Sequence, residues 1–241
     1  MSHTEHSHTP DGIAERLRDG HRVNYLQDWV YGGIDGAVTT FAIVAGSLGA
    51  SLSAKIILIL GFANLLADGL SMAAGNYLGT KADNDDAARL RAVEADHISR
   101  YPDGEREEIR QIFAAKGFAG KLLDDAVEVI TANREVWIST MLAEEYGVAA
   151  ARRSPMRAAI ATFGGFLVCG LVPLVPFLFA FPNAGWIALA ATALTFGAIG
   201  WGKSRWSLTP WWQSSLETLS IGLAAAIVAF GIGHVLNGVF T

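Results

Sequence analysis

The chain has 241 residues, 51% of them hydrophobic and only 17% charged, with a net charge of −5 and a mean hydropathy of +0.33. An average soluble domain is about one-quarter charged, and here the charge is confined: residues 83–153 hold most of it, while the flanking segments are nearly bare. The asymmetry excludes a uniform globule and describes a membrane part plus a water-exposed part, for which no nucleic-acid partner is expected.

Residues 1–27 form a polar tail carrying His3, His6 and His8. It has no apolar core of the kind a cleaved signal peptide needs, so targeting falls to the first span. Loose metal collection by this tail is one reading; an unstructured terminus without function is the other. A helix needs about 20 mainly apolar residues to cross a bilayer, and five segments meet that: 29–50, 55–79, 156–181, 184–202 and 213–240. Pro173 and Pro176 predict a kink in the third. Trp29, Tyr31, Trp186, Trp201, Trp206, Trp211 and Trp212 fall near proposed span ends, as an aromatic belt requires. The single cysteine, Cys169, lies in an apolar run and supports neither an intrachain disulfide nor a cysteine zinc site.

Orientation follows from Lys and Arg. With the N-terminus in the cytoplasm, all of the 18 except Lys55 lie on the cytoplasmic side. The expected fold is therefore an all-α integral membrane protein: spans one and two within residues 28–80, a cytoplasmic helical metal-binding insert over 81–153, and spans three to five within 154–241.

In the second span Asn64, Asp68, Met72 and Asn76 recur at i, i+4, i+8 and i+12, which forms one slowly drifting helical face. Ionisable groups inside a span are functional candidates by default. A thioether beside carboxylate and amide oxygens suits a borderline transition metal better than Mg²⁺ or Ca²⁺. Asp35 in the first span sits at the depth of Met72, each about 9 Å from the cytoplasmic end at 1.5 Å per residue. Two G-x-x-x-G pairs, Gly32/Gly36 and Gly75/Gly79, predict close approach of these two spans. A structural reading stands beside the functional one: Asn64 and Asn76 bond across helices and Met72 fills space. Glu217 reads as a snorkelling residue at the cytoplasmic end, and His234 as a bystander.

The insert reads as four helices: a continuation of the second span over 83–100, then about 104–116, N-capped by Asp103, 119–131, and 134–147, capped by Asn133. Glu94 and His97 form a Glu-x-x-His pair at i, i+3, the pair that di-iron carboxylate bundles use. Glu105 and Glu108 repeat that spacing, and Met141 and Glu145 sit at i, i+4 with Glu144 beside them. Three helices each present a chelating pair, and in an antiparallel bundle the pairs can converge. The plainer reading takes Glu105, Glu107 and Glu108 as first-turn complements of a helix dipole, and Glu94 with Arg91 as a solvated surface pair. Asp124, Asp125 and Glu128 read as solvated face.

Tyr31-Gly32-Gly33-Ile34-Asp35-Gly36-Ala37-Val38-Thr39-Thr40-Phe41 and Asp68-Gly69-Leu70-Ser71-Met72-Ala73-Ala74-Gly75-Asn76-Tyr77-Leu78 resemble the vacuolar iron transporter family, and the likeness extends over nearly the whole chain from Asp28. The resemblance implies a homodimer of five-span subunits that exports cytosolic Fe²⁺ in exchange for protons, with the ion as substrate and no prosthetic group. It implies that Asp35 and Met72 line the pathway and that Glu94, His97, Glu105, Glu108, Met141 and Glu145 collect ions on the insert. Three positions depart from the pattern. Asn64 stands where plant-type members carry a pathway glutamate, with Asp68 one turn on as a substitute charge. His97 replaces a glutamate, and Leu142 replaces a second methionine. Mn²⁺ and Zn²⁺ suit much the same ligands.

The expected function is thus a proton-coupled Fe²⁺ or Mn²⁺ transporter rather than an enzyme, multi-pass in a lipid bilayer. The short loops and lack of an organelle address favour a prokaryotic plasma membrane. Two alternatives come from other classes. A membrane-anchored ferroxidase would use the Glu-x-x-His, although the di-iron bundle uses two such pairs and this insert has one. A metal sensor would leave the intramembrane Asp35–Met72 face without a purpose.

Overall fold

The computed structural model describes residues 8–19, 23–148, 152–204 and 208–240, and among them every regular element is helical. In chain order these are α1 (Pro10–Asp19), α2 (Leu26–Gly49), α3 (Ala54–Arg100), α4 (Pro102–Ala115), α5 (Gly120–Thr131) and α6 (Arg134–Glu144). Then come α7 (Pro155–Leu171), a 3-10 turn (Val172–Leu174), α8 (Val175–Leu178), α9 (Ala184–Lys203) and α10 (Trp211–Phe240). Five stretches are long and apolar enough to cross a membrane: Leu26–Gly49, the apolar part of α3, Pro155–Leu178, Ala184–Lys203 and Trp211–Phe240. They match the five spans expected from the sequence. The 3-10 turn falls where Pro173 and Pro176 predict a break, because proline removes an amide donor and clashes with the preceding turn. His3, His6, Arg22, Arg205 and Trp206 lie outside the described residues.

The chain divides into two compact units, residues 24–79 with 155–241 and residues 80–154 with the N-terminal segment. In the first, α2 is the central helix and packs chiefly on α7 and α10. The sequence suggested that Gly32 and Gly36 let α2 approach α3. They face α7 instead: a Cβ on Gly32 would meet the Thr162 carbonyl, and one on Gly36 the Phe166 carbonyl. Gly165 of α7 completes the contact against the Trp29 carbonyl, while a Cβ on Gly75 or Gly79 of α3 would meet no other element within 4 Å among the described residues. Small residues at the crossing let two backbones touch, but the motif does not encode which helix is the partner. The side of α3 within this unit meets its neighbours through side-chain tips, such as Leu174 against Gly61 and Phe163 against Gly69. Gly36→Ala therefore lowers stability by about 1–3 kcal/mol through overpacking. Within one subunit Gly75→Ala adds no clash, and alanine is the better helix former by about 1 kcal/mol. Thermal unfolding of the two purified variants checks the contrast.

The second unit holds the end of α3 with α4, α5 and α6 around a core of Ile98, Ile109, Val127, Trp137, Ile138, Met141 and Leu142. Local chemistry sets its turns. Asn133 caps α6 as expected, accepting from the amides of Glu135 (3.0 Å) and Val136 (3.3 Å). Asp103 does not cap α4. The helix starts two residues earlier than expected, at Pro102, whose fixed φ suits the first helical position, and its N-cap Tyr101 makes no side-chain cap bond among the described residues. After α4, Gly117 takes φ +95° and the Phe118 amide returns to the Phe113 carbonyl at 3.2 Å, a Schellman turn sealed by the Phe113–Phe118 ring contact.

Candidate functional site

The end of α3 and the first turn of α4 bring Glu94, His97 and Glu105 together. One ligand atom from each lies within 4.8 Å of the others. His97 Nδ1 stands 3.5 Å from Glu105 Oε1 and 3.9 Å from Glu94 Oε1. The i, i+3 spacing places Glu94 and His97 on one helical face, and the break at Tyr101–Pro102 lets α4 carry Glu105 to the same place.

Burial separates these carboxylates from surface decoration. Glu94 is 1% exposed and Glu105 is 5% exposed. One oxygen of each, Oε2, is buried with no hydrogen-bond partner among the described residues. An uncompensated buried carboxylate oxygen is costly, so two of them side by side, next to an imidazole, form a cradle for a cation. The surface-pair reading of Glu94 and Arg91 does not hold, since Arg91 pairs with Glu135. Glu105 does occupy the first turn of α4, but its burial goes beyond dipole complementation. The solvated reading holds for Asp124, which pairs with Arg110, and for Asp125, which pairs with Lys121; Glu107 faces Arg110 and Gln111, and Glu144, expected beside the Met141–Glu145 pair, is tied to Lys116 instead.

Glu108 and Glu145, both exposed, lie outside this triad but within electrostatic reach of it. Burial, then repulsion from Glu108, Glu94 and Glu145, pushes the Glu105 carboxyl up to about 7, with His97 opposing. The Glu145 carboxyl is also raised, first by burial and then by Glu94 and Glu108, with a Tyr146 hydrogen bond opposing. Crowded carboxylates of raised proton affinity suit a cation as a neutralising partner. Met141 is fully buried in the apolar core of the same unit, with Ile98 and Ile109.

In the membrane unit the four polar residues of α3 divide. Asn64 donates to the Thr39 hydroxyl at 3.3 Å, and that hydroxyl donates to the Asp35 carbonyl at 2.9 Å. Asn76 donates to Asp28 at 2.9 Å and to the Thr162 hydroxyl at 2.7 Å. Both amides therefore bridge helices. Asp68 is exposed on α3, and Asp35 of α2, half-buried, lies within electrostatic reach of it. Met72 packs against the core cluster that contains Leu65 and Phe166. Glu217 pairs with Lys203 of α9 at 3.0 Å.

Residues 26–234, across both units, match the model of the VIT family. The chain belongs to the VIT family. It is 31% identical to Vacuolar iron transporter 1 of Eucalyptus grandis, over 92% of this chain and 93% of the relative. It is 30% identical to the Vacuolar iron transporter of Toxoplasma gondii, over 89% of this chain and 75% of the relative. With Vacuolar iron transporter 1 of Arabidopsis thaliana it shares 29% identity over 88% and 86%.

Two polar residues of this VIT-family chain escaped the reading of the sequence. Asp28, 8% exposed, was given no role there, and only the fold shows Asn76 reaching it. Tyr146, directly after Glu145, donates its hydroxyl to Glu94 Oε1 at 3.0 Å, and burial and that bond raise its own proton affinity. A tyrosine at a helix end carries no spacing signal, so nothing short of the fold connects it to Glu94.

Proposed function

We propose that this protein carries iron(II) across a membrane, exporting it from the cytosol in exchange for protons, with Mn²⁺ as a second cargo. The observation that carries the reading is the pair of buried carboxylates, Glu94 and Glu105, each with an unpartnered oxygen beside His97. VIT-family membership and relatives named iron transporters support iron as the ion. Glu94, His97, Glu105, Glu108, Met141 and Glu145 collect it on a cytoplasmic face, and Asp35, Asp68 and Met72 pass it through the membrane. Asn64 shapes the pathway through Thr39 rather than by charge. A carboxylate that gives up a proton when metal binds and regains it when metal leaves couples the two flows.

The exposed Asp68, with the open Gly75 and Gly79 on the same helix, supports a homodimer in which a second copy covers this side of α3. A carboxylate facing lipid alone is expensive. The location we propose is a prokaryotic plasma membrane with the N-terminus and residues 81–153 in the cytoplasm.

The test is Fe²⁺ flux into proteoliposomes under an imposed pH gradient. Gradient-dependent uptake, with counterflow of protons, is the expected result. Metal binding and oxygen consumption without flux would move the function to a ferroxidase built on the Glu94–His97 pair.

A further inference from the structure

We propose that the Tyr146 hydroxyl is a positioning residue of the metal cluster, holding Glu94 in the orientation that captures the ion. The inference rests on the metal-capture reading above and adds to it a residue that is not itself a ligand.

The backbone delivers this phenol to a fixed place. α6 ends at Glu144, and Gly147 follows with φ +65°, a left-handed conformation that glycine adopts freely. Beyond it the Val148 amide returns to the Leu142 carbonyl at 2.9 Å, and Val148 packs on the core cluster that contains Leu142. Tyr146 is thus held between a helix end and an anchored turn. Its hydroxyl reaches Glu94 Oε1 at 3.0 Å.

The consequence lies in how Glu94 is used. Its carboxylate is 1% exposed, so water does not orient it. The phenol takes Oε1, while Oε2 has no partner. A carboxylate tethered by one oxygen cannot rotate freely about its last torsion, and its second oxygen is left pointing as a preset donor. A phenol has a single proton to give, so it anchors one oxygen of Glu94 without consuming the other. Groups that hydrogen-bond a metal ligand orient it, and losing one costs about 10–100-fold in affinity.

The experiment compares anaerobic Fe²⁺ titrations, by competition with a chromogenic chelator, of four purified full-length proteins: wild type, Tyr146→Phe, Glu94→Gln and the double variant. The ring is kept in Tyr146→Phe, so the packing stays and the metal-free protein still unfolds cooperatively, at a somewhat lower temperature because Glu94 Oε1 loses a donor. The expected result is affinity about 10–100-fold weaker in Tyr146→Phe, and a much smaller further loss when the same change is made on Glu94→Gln. Such non-additivity marks a residue that acts through its neighbour. Equal affinity of Tyr146→Phe and wild type would overturn the proposal, and so would additive losses, which mean packing alone. A visible phenolate-to-iron(III) band on air oxidation, absent from Tyr146→Phe, would also overturn it by making the hydroxyl a direct ligand. Wild type that binds no Fe²⁺ sinks the metal-capture reading itself, a result separate from the other three.

Discussion

Asp35→Asn reduces Fe²⁺ flux under a pH gradient to the level of protein-free vesicles and leaves thermal unfolding unchanged. The substitution is isosteric, so the helix keeps its shape and only the ionisable group goes. Asp35 lies on α2 beside the backbone contact with α7, with Thr39 one turn away and Asp68 of α3 within electrostatic reach. An amide offers one oxygen but no negative charge and no titration, so it can neither compensate a divalent ion in lipid nor exchange it for a proton. Flux that persists in the variant would remove Asp35 from the pathway. Flux lost together with cooperative unfolding would mean that the carboxylate serves the fold.

Glu94→Gln gives the second large effect, a loss of Fe²⁺ affinity greater than the roughly 10–100-fold that follows loss of a hydrogen-bonding partner to a ligand. The reason is that the substitution neutralises a fully buried carboxylate with an unpartnered oxygen. Metal-free Glu94→Gln should also be no less stable than wild type, because it removes one of the crowded charges around Glu105. Isothermal titration and unfolding of the metal-free protein measure the two halves separately. Unchanged affinity would show that the ion does not use this carboxylate.

The Glu105 carboxyl sets a pH dependence with a definite sign. It titrates near 7, above its ordinary value of 4.5. The folded state therefore holds a proton that the unfolded chain has released, and metal-free stability falls as pH rises through the window from about 4.5 to about 7, then levels. Metal binding runs the other way. The ion needs the deprotonated carboxylate, so affinity climbs with pH up to about 7 and flattens above it. Melting curves and Fe²⁺ titrations between pH 5 and pH 8 follow both trends, and a flat profile in both would discard the assignment of this proton to Glu105.

Periodicity and composition carried the fold a long way. The five apolar stretches, the Pro173–Pro176 break and the Asn133 cap follow from rules that act within one or two turns of helix, and the structure has all three. The Glu94–His97 pair was legible for the same reason, since i, i+3 spacing fixes a shared face. Long-range partnership was not legible. Gly32 and Gly36 announce a tight crossing, yet the helix they meet begins more than a hundred residues later, and α3 was the nearer candidate in sequence. Asp28 with Asn76, and Tyr146 with Glu94, are pairs of the same kind: their chemistry is ordinary, and only tertiary packing joins them.

The glycine contact between α2 and α7 has a mechanical consequence. Backbones that touch at Gly32, Gly36 and Gly165 interlock like gear teeth. Sliding one past the other by a single residue would drive side-chain carbons into carbonyl oxygens. These two helices therefore behave as one rigid block, and freedom of movement is left to α3. That helix meets its neighbours through pliable side-chain ends and two amide tethers, Asn64 and Asn76.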